Sequence, residues 1–234
     1  MTPFAISGTR PHTWIKQRVD TAAQTLYNEK TFSARKERHM MMAPTRALDA
    51  ALIDSLAQAI ETKDPATYQH SRDVQRYCAE IALELKWDEV AQSAASVAGL
   101  LHDIGKVTLA EAILRKPAAL TDAEYEQMKQ HPAAGAETVA AVPGLERIAE
   151  SIRYHHERWN GTGYPEGITG NRIPRLARLI AVAETFSVLT SDQPYRKAVT
   201  ETEAFSVLEQ GAGTQWDIAI VAALGRILEK NATL

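Results

Sequence analysis

From Thr45 onward, apolar residues recur at the spacing of an α-helix. Leu48, Leu52, Leu56 and Ile60 step by four along one face, and Asp64-Pro65 then stops the run. A second helix is predicted over 70–85, with Val74, Cys78, Ile81 and Leu85 on its buried side, and a third over 88–103. Thr121-Asp-Ala-Glu124 reads as a capping box, in which the Thr hydroxyl and the Glu carboxylate satisfy otherwise orphaned backbone N–H groups, so a helix starts there. Further helices are predicted near 132–142, 145–158, 174–191, 201–210 and 215–230. Strand-like alternation occurs nowhere at length, and the expected fold class is all-α, a helical bundle.

Two stretches break the pattern. Residues 1–45 are irregular apart from one short predicted helix over 13–27, and 28–39 are polar with basic residues in excess, as in a solvated connector. The chain is therefore read as an N-terminal extension or connector, 1–45, followed by one domain, 46–234. Between two predicted helices, 159–173 carries Gly161, Gly163, Gly167 and Gly170 with Pro165. Glycines admit positive φ and proline restrains the turn, so a shaped loop is expected.

Composition narrows the function classes. The chain has 234 residues, 45% hydrophobic and 24% charged, enough for one well-buried core. A net charge of −3 gives no global case for wrapping a nucleic-acid polymer or lying on an anionic membrane, so an anionic ligand must be held locally. No apolar run approaches the roughly 18 residues of a spanning helix, and 1–20 lack a basic start followed by an apolar stretch, so no membrane insertion and a cytoplasmic location are expected. Cys78 is the single cysteine; it cannot form an internal disulfide, and its helical neighbours mark it as core.

Candidate chemistry lies in the histidines and carboxylates. Five of seven histidines, His70, His102, His131, His155 and His156, are expected at or near helix ends. His102 and Asp103 close an apolar helix (Val97, Leu100, Leu101), with Gly105 to close the turn and Lys106 nearby. A carboxylate can bridge two cations while neutral imidazole gives each a directional nitrogen. His155 and His156 form a second doublet; adjacent helical residues diverge by about 100°, so both reach one centre only if it sits off the helix end, or they serve two neighbouring metals, which is the natural reading. Glu184, among Val182, Ala183 and Phe186, is a candidate buried carboxylate, which needs a partner or a metal.

Taken together, HDIGKV (102–107), ILRKPAALT (113–121), HHERWNGTGYP (155–165) and LTSDQPYRKA (189–198) resemble the HD-GYP phosphodiesterases, a subset of the HD superfamily of metal-dependent phosphohydrolases. The resemblance runs from about Lys63 to Val207. It implies an HD-domain helical bundle with a glycine-rich GYP loop that hydrolyses cyclic di-GMP to linear pGpG, or on to GMP, by metal-activated hydroxide. Carried over by motif, His70, His102, Asp103 and Glu184 would hold one metal, and Asp103 would bridge to a second held by His131, His155 and His156. The mixed nitrogen and oxygen ligands suit iron or manganese, with nickel, cobalt and zinc as alternatives. Lys106 would stabilise charge or protonate the leaving oxygen together with Asp64, and Gly163, Tyr164, Pro165, Gln193 and Arg196 would meet substrate. A protein partner at the GYP loop and a homodimer are further expectations.

The chain departs from the family pattern at four positions. Ala66 stands where some members carry a Glu associated with a third metal, so a dinuclear centre is expected. The usual metal Asp is Glu184, one methylene longer; the usual Asp three residues on is Ser187; and the usual Arg before Pro194-Tyr195 is Gln193, a loss worth roughly 1.5 to 3 kcal/mol of ligand binding that Arg196 could offset. Three readings follow: a cyclic di-GMP phosphodiesterase, a non-catalytic module that binds nucleotide or a protein, and a hydrolase of another cyclic dinucleotide or phosphoester.

Overall fold

Asp64-Pro65, which ends the first periodic run, also begins the next helix. Helix α1 spans Ala50–Lys63 and α2 spans Pro65–Glu84. The Asp64 carboxylate accepts Ala66 N–H at 3.2 Å and the Thr67 hydroxyl at 2.8 Å, and Pro65 takes the first turn, where no N–H is required. Helix α2 therefore starts five residues before the predicted 70, which places His70 inside the helix and not near its end. The computed structural model describes residues 50–192 and 196–233, all within the unit Arg46–Leu234. The predicted helix over 13–27 and the 1–45 extension lie outside the described residues.

Helix α3, Glu89–Leu101, is capped by Asp88, which accepts Ala91 N–H at 2.9 Å. A 3₁₀ turn follows at Ile104–Thr108, then α4 (Glu111–Leu114), α5 (Asp122–Met128), α6 (His131–Ala140), α7 (Glu146–Arg153), α8 (Arg175–Thr190), α9 (Glu201–Gly211) and α10 (Ile218–Asn231). The predicted capping box at Thr121 and Glu124 is formed. Helix α7 stops at Arg153, five residues short of expectation, so His155 and His156 project from beyond a helix end. Among the described residues there is no strand; Ala212 and Trp216 form an isolated bridge.

The core lies between α2, α3 and α8. Val74, Cys78 and Ile81 of α2, Ala98 and Leu101 of α3, and Leu179, Ile180 and Phe186 of α8 are sealed from solvent, with Tyr77 edge-on to Phe186 at 5.1 Å. Cys78 is core as expected, and burial pushes its thiol far above the ordinary range, so no thiolate forms there. The 154–173 loop is tied to the segment before α10: Trp159 N–H donates to Gln215 O at 3.0 Å and Asn160 N–H to Thr214 O at 2.9 Å. It is the shaped loop that its glycines suggested. No helix among the described residues is long and apolar enough to cross a membrane.

Candidate metal centre

Helix ends aim the imidazoles. His102 caps α3, His131 opens α6 and His155 follows α7. Each ring gives its Nδ1 proton to the carbonyl three residues back: Gly99 O at 2.8 Å, Met128 O at 2.8 Å and Ile152 O at 2.6 Å. A carbonyl only accepts, so Nδ1 carries the proton in all three rings and Nε2 is left as a bare lone pair.

These lone pairs converge. His131 Nε2 lies 3.3 Å from His155 Nε2 and 3.3 Å from Asp103 Oδ1, while His102 Nε2 lies 3.3 Å from Asp103 Oδ2. His102 Nε2 and Asp103 Oδ1 are buried with no hydrogen-bond partner among the described residues. Acceptors facing acceptors in a dry site repel one another, and orphaned buried polar atoms cost about 1–3 kcal/mol each. Cations between them would reverse the sign of both effects, so this donor set fits metal.

The ligand atoms form two groups. Those of His131, His155 and His156 lie within 4.8 Å of one another, as do those of His70, His102 and Glu184. Asp103 presents one oxygen to each group, Oδ1 towards His131 and Oδ2 towards His102. Across the divide His156 Nε2 is 4.0 Å from Glu184 Oε1. Glu184 comes from α8 and is only partly buried, its side chain 16% exposed, so it borders the solvent-facing side of the site. His70 reaches in from α2, and its Nδ1 is 3.0 Å from the hydroxyl of Ser187 on α8.

Electrostatics keep most of these groups, His102 excepted, in metal-binding protonation states. Burial, with neighbouring imidazoles, holds His155 and His156 well below the ordinary histidine value; burial also lowers His131, and takes His70 down to about 4. Burial alone would raise Asp103, but the Lys106 ammonium and His102 beside it hold its carboxyl well below the usual range. Lys106 Nζ donates to Asp103 Oδ2 at 2.7 Å, and that contact outweighs burial, so the ammonium stays charged. His102 is raised: burial opposes its charge, but Asp103 wins.

Two glycines let the elements close. A Cβ on Gly105 would stand 2.0 Å from His131 O and 2.5 Å from Gly135 N, so Gly105 is required for contact between the His102-Asp103 turn and α6; it does not adopt positive φ. A Cβ on Gly163 would meet Arg158 N at 2.4 Å and Glu157 Cα at 2.5 Å, which presses the GYP loop onto the stretch that follows the His doublet. Glu157, 4% exposed, holds that fold from inside: its Oε1 accepts Glu166 N–H at 2.7 Å and Gly167 N–H at 2.9 Å. Tyr164 consequently stacks on His156, ring centroids 4.8 Å apart.

Above the imidazoles opens a cleft of about 540 Å³. Lys106, His131, His156, Gly163, Tyr164 and Glu184, all named from the sequence as candidate site residues, line it. Tyr125, Met128, Arg158 and Thr162 line it too, and sequence reasoning passed over them. Arg158 lay within the quoted 155–165 motif but carries no local signature, since only the fold turns it towards the cleft.

Three expected residues sit elsewhere. Arg196 does not line the cleft: its guanidinium donates to Val188 O at 2.7 Å, Leu189 O at 3.2 Å and Lys197 O at 2.8 Å, closing the carbonyl end of α8. It cannot offset a missing phosphate contact while so engaged. The Asp64 carboxylate caps α2 and does not line the cleft, yet it lies near enough to Lys106 to help keep that ammonium charged, and Pro165 is exposed outside the cleft lining. Gln193 lies outside the described residues. Ala66 is exposed on the first turn of α2 and brings no carboxylate to the site.

Comparison with known proteins gives a consistent picture. A family model described as HD domain matches residues 54–220. The 3′3′-cGAMP-specific phosphodiesterase 3 of Vibrio cholerae is 32% identical over 222 residues, which is 90% of this chain and 48% of that protein. A cyclic di-GMP phosphodiesterase of Thermotoga maritima is 35% identical over 184 residues, 78% of this chain and 50% of that one. The chain thus spans about half the length of these relatives. Among solved structures, a cyclic GMP-AMP-specific phosphodiesterase of V. cholerae superposes with a TM-score of 0.60 at 19% identity, covering 76% of this chain and 48% of that one, which supports the fold. An HDG"Y"P protein from Bdellovibrio bacteriovorus gives 0.55 at 22% identity, covering 68% of this chain and 51% of the other. The chain belongs to the HD-domain family, in its HD-GYP form.

Proposed function

We propose that the protein is a metal-dependent phosphodiesterase that opens cyclic di-GMP to linear pGpG at a dinuclear centre. The observation that carries the reading is the convergence of proton-free imidazole nitrogens and both Asp103 oxygens on two adjacent ligand groups beneath a cleft. His70, His102 and Glu184 would hold one divalent cation, His131, His155 and His156 the other, and Asp103 would bridge them. Iron or manganese suits this nitrogen and oxygen set. When bound, such a pair supplies a polarised water and neutralises charge on the phosphoryl oxygens.

The chain's own groups supply the rest. Lys106, charged and with a side chain 23% exposed, stands beside the bridging carboxylate, where it can give a proton to the departing sugar oxygen. Arg158 lines the cleft, and its guanidinium makes no hydrogen bond or ion pair among the described residues, which leaves its donors to a substrate phosphate or a guanine edge. Tyr164, held by its stack on His156, walls one side. The absence of a carboxylate at Ala66 supports two metals over three and a reaction that stops at pGpG.

A second substrate, 3′3′-cGAMP, is favoured by the names of the relatives that match at 32% and 36% identity. The test is to load the full chain with Mn²⁺ or Fe²⁺, supply each cyclic dinucleotide, and separate products by ion-exchange chromatography. Linear pGpG that disappears on chelation is the expected result. Preferential cleavage of 3′3′-cGAMP would move the reading to the second substrate, and no linear product from either nucleotide with both metals bound would overturn it in favour of a non-catalytic module.

A further inference from the structure

Most imidazoles of the centre are held by groups that can only accept a proton, but His70 is not. His102, His131 and His155 each face a carbonyl through Nδ1, which fixes Nε2 as a lone pair. His70 lies inside α2, and its Nδ1 faces Ser187 Oγ at 3.0 Å. A hydroxyl both donates and accepts, so it does not dictate the tautomer as a carbonyl or carboxylate would. Ser187 is 1% exposed, and among the described residues its Oγ has one recorded partner, the His70 ring. Other helical hydroxyls here, Thr185 and Thr190, donate to the carbonyl four residues back; for Ser187 no such bond is formed among the described residues. Its buried proton therefore goes to His70 Nδ1, because an unsatisfied buried donor is costly. The ring's own proton is then on Nε2, the nitrogen left to group with His102 and Glu184.

We infer that Ser187 is a positioning residue that biases His70 to the tautomer with its proton on Nε2, so that the His70, His102 and Glu184 half of the centre takes a cation more weakly and fills second. The inference rests on the metal reading above but not on turnover. Binding at this half requires the ring proton to move to Nδ1 and the Ser187 hydroxyl to turn from donor to acceptor. The His131, His155 and His156 half has two rings already fixed in the binding form.

Two measurements on the full chain test it. In chelator-treated protein, long-range ¹H–¹⁵N NMR of the histidine rings, with H70Q assigning the signal, is expected to show His70 protonated on Nε2 and His102, His131 and His155 on Nδ1. Calorimetric titration with Mn²⁺ should then resolve a tighter and a weaker step. In S187D, whose carboxylate only accepts, the weaker step should tighten by roughly 10- to 100-fold with the tighter one unchanged, the scale of an outer-shell partner's effect on affinity. S187T, which keeps the hydroxyl, should match the wild type. A His70 ring protonated on Nδ1, two equal Mn²⁺ sites, or a folded S187D with an unchanged weaker step would overturn the inference and leave the dinuclear reading standing. Absence of any Mn²⁺ binding would overturn both. If S187D does not fold, the NMR measurement on wild-type protein decides.

Discussion

Replacing Glu157 by Ala removes the only side chain among the described residues recorded as accepting the N–H groups of Glu166 and Gly167, and so tests whether the GYP loop is fixed from within. Bonds to a charged acceptor contribute about 1.5–3 kcal/mol each, so the two at 2.7 and 2.9 Å set an upper range of about 3–6 kcal/mol. Against this stands Oε2, buried with no partner among the described residues, whose desolvation costs about 1–3 kcal/mol and is relieved by truncation. The net cost is then about 0–5 kcal/mol, about 2.5 kcal/mol at the centre of both ranges, concentrated in the loop. Hydrogen exchange followed by mass spectrometry reads it directly: if the loop opens locally, the amides of 166 and 167 should exchange roughly 60-fold faster in E157A at that central value, while core amides of α2 and α8 are unchanged. E157Q keeps one accepting oxygen without the charge and should lie between. The consequence for chemistry follows from Tyr164, which stacks on His156 only while the loop is closed, so activity falls with protection. Exchange at 166 and 167 that is the same in E157A and wild type would refute the reasoning.

Three further outcomes are expected. Metal-free protein should lose stability as pH falls from about 6.5 towards 4: His70, lowered to about 4, and His131, His155 and His156, also lowered, are neutral when folded but charge when unfolded, so the unfolded state binds more protons in that window; His102, raised by Asp103, acts in the opposite sense above 6.5, and thermal melts across pH 4–8 in chelator check the balance. K106A should lower kcat by roughly 100-fold or more, the scale of a positioned acid, with two metals still bound by elemental analysis. R158A should raise KM by roughly 10- to 100-fold from a lost charged hydrogen bond, whereas R196A should leave KM unchanged and lower the melting temperature, because its guanidinium is spent on α8 carbonyls; the two kinetic profiles, measured side by side, decide between them.

The sequence exposed what local rules govern. Apolar spacing on α1 and α2 and the capping box at Thr121 gave the helices, because periodicity and capping act within a few residues, although α1 buries Ile53, Ala57 and Ile60 and leaves Leu52 exposed. The motif order brought forward seven side chains, Asp103 and the six that the fold collects into two groups on either side of it. What local rules missed is the partner that the fold gives each residue, near in the chain for some and distant for others. Asp64-Pro65 stops one helix and caps the next, and Gly105 is small because α6 lies against it. Arg196 looks like a phosphate ligand until the end of α8 claims it, and Ser187 meets His70 across 117 positions. Glu157 and Arg158 stand side by side in the motif, yet one points into the loop and the other lines the cleft.

The central claim is that two cations share Asp103. Crystals of the full chain grown with Mn²⁺ and measured near the manganese absorption edge test it without reference to turnover. Two anomalous peaks are predicted at saturating Mn²⁺, one among His131, His155 and His156 and one among His70, His102 and Glu184, with Asp103 between them. A single peak, or peaks remote from Asp103, would contradict the account.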